Sequence, residues 1–232
     1  PSNKVVNGNF GACLMKEPKK VGEMIEAIKE NCDIPVTVKT RIGLDNYDTD
    51  QFLEEFISEL DDKKVSTVII HARIAILKGL SPHENRTIPP LNYQRVKVIK
   101  KTFKHMRIIV NGGIINLNDA KNFLNDFDGV MIGRAAWDNP WMFSNAENTF
   151  FDKNINISRY EIINSYLEYA SKYLSLGHTQ RRLIRPLFNM FYGVQGSKLW
   201  KQQLNDIANN KIDINSISNL AYQIEDMILD AA

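Results

Sequence analysis

Apolar and polar positions change period repeatedly over the first 140 residues. Val21, Met24, Ile25 and Ile28 follow Pro18 at helical spacing, which predicts a helix over 18–31. IPVTVKTRIG alternates apolar and polar side chains and predicts a strand ending near Lys39–Arg41. TDQFLEEFISELDDK is amphipathic, with Thr49 or Asp50 as N-cap. VSTVIIHAR is nearly all apolar, as a strand buried on both faces would be. A helix over YQRVKVIKKTF, a strand over MRIIVNGGI, a short helix over LNDAKNFLND capped by Asn116 or Asn118, and a strand over GVMIGRAAW follow. After Pro140 helical periodicity runs to the end with no strand signal.

A helix, three strand–helix pairs and a closing strand predict a parallel sheet with helices outside it. About four strands are too few to close a barrel, which usually takes about eight. The choice lies between an open sheet and half of a (β/α)8 barrel; a chain that opens in loop at Pro1 favours the second. The expected fold is therefore the C-terminal half of a TIM barrel over 1–145, followed by a small all-helical domain over 146–232.

Composition narrows the function little. With 44% hydrophobic and 24% charged residues, the 232-residue chain has an ordinary globular make-up. No apolar run reaches membrane-spanning length. Cys13 and Cys32 form neither a disulfide framework nor a metal spacing, and a reducing compartment is expected, the cytoplasm with an organelle left open. The net charge of +2 is too small to mark a nucleic-acid binder, so any basic surface would be local.

Chemistry-bearing residues collect at the strand ends: Lys39-Thr40-Arg41, His71-Ala72-Arg73, Asn111-Gly112-Gly113 and Gly133-Arg134. In parallel α/β folds ligands gather there. Gly112, Gly113 and Gly133 would let backbone N–H groups approach a phosphate, and Arg134 adds a bidentate cation; equally, the glycines could make tight turns only. Lys39 is either a solvated strand end or a positive charge held against a flavin ring. His71 is either structural or part of the same rim. The long loop over 71–93 holds Arg73, Lys78, His83 and Arg86, suited to a phosphate backbone or simply solvated. In the tail, Arg181, Arg182, Arg185, Lys198 and Lys201 interleave with Phe188, Phe191, Tyr192 and Trp200. That pattern can grip RNA, although the aromatics alone read as helical core.

NGNFGACLM, IPVTVKTRIG, IIHAR…GLSPHENRTIPPLNY, IVNGGI and DGVMIGRAAWDNP together resemble the tRNA-dihydrouridine synthases, most closely the DusA branch. RPLFNMFYGVQGSKLWK is similar to that branch's helical-domain motif. The resemblance covers nearly the whole chain, and the 71–93 block is its specific part. It implies an FMN-bearing barrel with a helical tRNA-binding domain, an expected monomer. The activity it implies is NADPH-driven reduction of uridine to 5,6-dihydrouridine in tRNA. It puts Lys39 and His71 at the flavin ring, and Asn111, Gly112, Gly113, Gly133 and Arg134 on the phosphate side. It puts Arg73, His83, Asn85 and Arg86 in the loop that meets tRNA, with Arg185, Lys198 and Lys201 as helical-domain partners. No metal is implied.

The family's proton-donating cysteine lies in N-x-G-C-P-S. This chain opens with that motif's Pro1-Ser2, so the donor is expected immediately before Pro1 and no catalytic residue is expected within the chain. Cys13 matches a second cysteine and is expected to pack beneath the active-site loop. The chain is expected to be a piece of a longer protein, with weak or no FMN binding and no turnover if it truly starts at Pro1. Ile74 and His83 stand where the branch has lysine, Pro186 and Asn189 where it has His and Gly, and Lys198 and Lys201 where it has arginine; lysine keeps the charge but loses the bidentate fork. Two other readings remain open: an FMN-dependent barrel acting on a small pyrimidine, and an RNA-binding module without catalysis.

Overall fold

The structure, a computed structural model, describes residues 8 to 230. Its contacts divide into two compact units, one running to Gly133 and the other starting at Arg134. The division thus falls before the boundary expected after residue 145.

The first unit holds four strands, β1 (Val38–Arg41), β2 (Thr67–His71), β3 (Arg107–Asn111) and β4 (Gly129–Met131). They form one parallel sheet in the order β1-β2-β3-β4. Four helices alternate with them: α1 (Pro18–Asn31), α2 (Asp50–Asp62), α3 (Tyr93–Thr102) and α4 (Leu117–Phe123). Local chemistry sets their starts. Pro18 begins α1 where its missing N–H costs nothing. The side chains of Thr49, Asn92 and Asn116 accept from the amides of Phe52, Arg95 and Asp119, capping α2, α3 and α4.

All four strands are shorter than the expected runs, β1 and β4 the most. β1 starts at Val38 rather than Ile34: Pro35 has no N–H to give to a ladder, and Ile34 is 64% exposed. β4 stops at Met131, and Arg134–Asp138, expected as its continuation, is a short helix, α5, rich in the helix-forming Ala135-Ala136 pair.

The core of this unit lies between the sheet and helices. Val68, Ile70, Ile108 and Val110 on one face are fully buried, as are Leu53, Ile57 and Leu60 of α2 and Val96 of α3. The residues between them, Ile69 and Ile109, project from the other face and are only half-buried. Completely covered parallel sheets are the rule, so this second face is the unusual one.

The second unit is helical throughout its described residues. After α5 come α6 (Ala146–Phe151), α7 (Arg159–Ser175), α8 (Gln180–Leu183), α9 (Ser197–Ala208) and α10 (Ile217–Leu229). Ser158 and Glu161 form a full capping box at the start of α7. Phe191 and Trp200, both fully buried, stack edge-on at 4.7 Å in a core with Ile163, Ile184 and Leu204. Of the four aromatics interleaved with the basic residues, Phe191 and Trp200 are core, Phe188 packs against it partly buried, and Tyr192 is exposed. No helix among the described residues is long and apolar enough to cross a membrane.

Candidate active site at the strand tips

The register aligns the carboxyl ends of the strands. Arg41 pairs with His71, His71 with Asn111, and Asn111 with Met131, so the four tips lie at one level of the sheet. Side chains in register in a parallel sheet share a face. Lys39, Arg41, His71 and Asn111 therefore occupy the face that α1–α4 leave partly open.

A polar chain crosses that face. Lys39 Nζ donates to Asn111 Oδ1 at 3.0 Å, reaching over β2 to do so. Asn111 Nδ2 in turn donates to the Met131 carbonyl at 2.7 Å. One asparagine side chain thereby ties β1 to β4 and fixes the direction of the lysine. Burial, reinforced by the nearby Arg41 guanidinium, pushes the Lys39 ammonium below its ordinary value. A partly desolvated cation of this kind favours an anionic partner. His71 is buried between these strands.

The two glycines after β3 have a reason within the protein itself. Gly112 and Gly113 have φ of +111° and +72°, in the region that disfavours side chains. A Cβ on Gly112 would lie 3.1 Å from the His71 ring and from Leu91, and one on Gly113 would lie 2.6 Å from Leu91. The Tyr93 hydroxyl donates to the Gly112 carbonyl at 2.6 Å and closes the turn. Gly133 is different. Its φ is not left-handed, and a Cβ there would meet no heavy atom within 4 Å. Neither strain nor crowding within the chain demands a glycine, whereas a ligand brought close to the backbone would. Arg134, next in the chain, is exposed and opens α5 in the second unit.

The 72–92 loop is tightly built. Asn85, expected among the tRNA contacts, is fully buried. Its Oδ1 accepts from the Ile76 amide at 2.8 Å, and its Nδ2 donates to the Ile76 carbonyl at 2.8 Å. Arg41 Nη1 donates to the carbonyls of Ile74 (3.1 Å) and Asn85 (3.0 Å), clamping the loop to the tip of β1. Burial, with the charges of Arg73 and Arg86 nearby, lowers the Arg41 guanidinium to about 10. Arg73 donates to the Pro89 carbonyl. Asp45, at φ +48°, accepts from the Leu77 amide at 2.7 Å. The loop so held leaves His83 and Arg86 exposed.

Sequence reasoning named Arg41 only as part of a strand end and did not single out Asp45 or Tyr93. Their roles depend on carbonyls and amides 19 to 44 residues away, which no local pattern reveals. Cys13 is buried in a 3-10 turn over Gly11–Lys16. A cleft of about 400 Å³ along β1 is lined by Gly11, Ala12, Leu14 and Met15 of that turn, together with Lys39 and Arg41. The Pro1-Ser2 motif lies outside the described residues. In the second unit, Arg185 and Lys198 are exposed and Lys201 is half-buried.

The sequence profile described as dihydrouridine synthase (Dus) matches residues 1–225. The chain belongs to the dihydrouridine synthase family. It is 42% identical to a tRNA-dihydrouridine(20/20a) synthase of Shewanella oneidensis over 224 residues, 96% of this chain and 67% of that protein. It is 41% identical to a protein of the same name in Synechocystis over 207 residues, 89% of this chain and 62% of the relative. The Escherichia coli K12 protein of that name is 38% identical over 229 residues, 97% of this chain and 66% of its own length. The chain thus spans about two thirds of the length of these relatives, and in some of them slightly less.

Proposed function

We propose that this chain is part of an FMN-dependent tRNA-dihydrouridine synthase that uses NADPH to reduce uridine in tRNA. The relatives' names point to positions 20 and 20a. The observation that carries the proposal is the alignment of the four strand tips, with Lys39 bonded to Asn111 and Asn111 to Met131 across one partly open face. The family supports reading the sheet as the C-terminal half of a (β/α)8 barrel, completed across that face and along the outer edges of β1 and β4.

The residues present suit FMN. Lys39, held by Asn111, offers a fixed cation for the electron-rich edge of the ring, and buried His71 walls the same space. The family resemblance puts the phosphate at the backbone of Gly112 and Gly113, at the open position of Gly133 and at Arg134. FMN bound there would supply the hydride that reduces the uracil C5–C6 bond, with NADPH as its source. The protein's part is to bind, to orient and to exclude water. The proton for C5 belongs to the cysteine that the family motif puts before Pro1. His83 and Arg86, on a loop made rigid by Arg41 and Asn85, meet the tRNA backbone. Arg73 and Asn85 act by shaping that loop. Arg185, Lys198 and Lys201 of the helical unit supply further phosphate contacts.

The test is to incubate the complete protein, FMN-loaded and with the motif cysteine in place, with unmodified tRNA and NADPH and to map dihydrouridine by mass spectrometry. Dihydrouridine at positions 20 or 20a is expected. NADPH oxidation driven by a free pyrimidine, with tRNA untouched, would contradict the proposal.

A further inference from the structure

The helical unit carries as many acidic as basic residues, ten of each between 134 and 230, so any attraction for a polyanion must come from where the charges sit. Some are paired, Lys153 with Glu147 and Lys211 with Asp206, but two clefts differ in sign. One cleft is lined by Glu161, Glu225 and Asp226. Another, of about 580 Å³, is lined by Arg181, Arg182 and Arg185 with Phe188 and Asn205. On α9, Lys198, Lys201, Asn205 and Ala208 follow one another at spacings of three, four and three residues and share a helix face, while Trp200, Leu204 and Ile207 are buried. Asn205 and Ala208 belong to the arginine cleft. The two lysines therefore extend it along a stripe of about 15 Å.

An aromatic ladder adjoins the cleft. Tyr166, Tyr169 and Tyr173 lie on α7 at spacings of three and four residues. Their rings, with His178, succeed one another at centroid distances of 5.5, 4.3 and 5.4 Å. Arg182 Nη1 lies 3.5 Å from His178 Nδ1, which joins ladder to cleft. Tyr166 is explained by packing, since its hydroxyl donates to the Leu183 carbonyl at 2.5 Å. Tyr169 also has an internal partner, a side-chain hydrogen bond to Tyr173, but its ring, tilted against that of Tyr173, is still 48% exposed. An exposed tyrosine within a continuous stack, beside three arginines, has the composition of a surface that stacks bases and holds phosphates.

We propose that this face of the helical unit is a track for single-stranded RNA. Tyr169 and the ladder behind it stack an unpaired base, while Arg181, Arg182 and the lysine stripe take the flanking phosphates. The inference rests on the tRNA reading above and adds what that reading leaves open: the element recognised here is unpaired rather than duplex. The probes are a fluorescent eight-nucleotide single strand and a paired RNA of equal length, with affinity followed by anisotropy across a salt series. The single strand is expected to bind more tightly. The Arg181→Ala/Arg182→Ala double variant should reduce the slope of log affinity against log salt by about 1.4, as two phosphate contacts are lost. Tyr169→Ala should weaken binding by about fivefold or more, and Tyr169→Phe, which keeps the ring face, should restore it. All three positions are exposed, and thermal melting checks that each variant folds. If the parent binds RNA and the variants match it, the track is wrong while the tRNA reading stands. Equal affinity for duplex and single strand overturns the stacking role. A parent that binds no RNA overturns both.

Discussion

Gly113 and Gly133 both stand at strand-end turns, yet only Gly113 has a reason within the chain for being glycine, and alanine separates the two. At Gly113 a methyl group would sit 2.6 Å from Leu91 Cδ1 and 2.8 Å from the Tyr93 hydroxyl, at a φ of +72°. The left-handed backbone costs a non-glycine residue about 1–2 kcal/mol. Forcing a methyl into a filled space costs about 1–3 kcal/mol more. Gly113→Ala should therefore lower unfolding free energy by about 2–5 kcal/mol. At Gly133 the methyl meets open space at an ordinary φ. Gly133→Ala should leave stability unchanged or raise it by up to about 1 kcal/mol, since alanine restricts the unfolded chain. Its effect should appear in the ligand. A methyl pressed against a bound phosphate costs about as much as an overpacked core, which corresponds to about 5- to 150-fold in FMN dissociation constant. Urea unfolding and flavin-fluorescence titration on the same two variants give both quantities. If Gly133→Ala unfolds as readily as Gly113→Ala, or holds FMN as well as the parent, the ligand-side reading of Gly133 is wrong.

Two further outcomes follow from the loop and from the sheet. Asn85→Ala removes both partners of the Ile76 backbone and should cost about 1–3 kcal/mol. Limited proteolysis should then cut within 72–92, and tRNA affinity should fall with it; an uncut loop with unchanged affinity would remove Asn85 from the account. Asp128 accepts from Lys100 Nζ and, at 2.8 Å, from the Ile108 amide of β3. Partial burial raises its carboxyl, but these two partners outweigh that and hold it below its ordinary value of 3.8. A carboxylate depressed on folding stabilises the protein above its unfolded value, and the contribution is lost as pH falls through the folded one. Asp128→Ala should therefore lose stability at neutral pH and flatten the decline of stability below about pH 4. An acid limb identical to the parent's would contradict this.

The alternation of strands and helices was legible because each element has a strong period, and the caps at Thr49 and Asn116 because their chemistry is local. The ends of β1 and β4 were less so: apolar residues at Ile34 and Ile132 extend the strand pattern past the points where Pro35 and the turn to Arg134 end pairing. The strand-tip residues could be named from sequence because parallel sheets put ligands there, but not the bond from Lys39 to Asn111, which depends on register. Asn85 illustrates the limit most clearly. A polar residue in a charged loop looks like a surface contact, and only the fold shows it buried as the loop's internal brace. The tyrosine ladder on α7 was present as a spacing of three and four residues, yet tyrosines at that spacing read equally well as core until the exposure of Tyr169 is known.

The central claim is that four aligned strand tips jointly hold one flavin. FMN titration of the complete protein of which this chain is part, followed by quenching of flavin fluorescence, tests it most directly. One saturable site per chain is expected, weakened separately by Lys39→Ala at the ring and by Arg134→Ala at the phosphate. Absence of saturable binding in the protein, or binding that neither substitution alters, would contradict it.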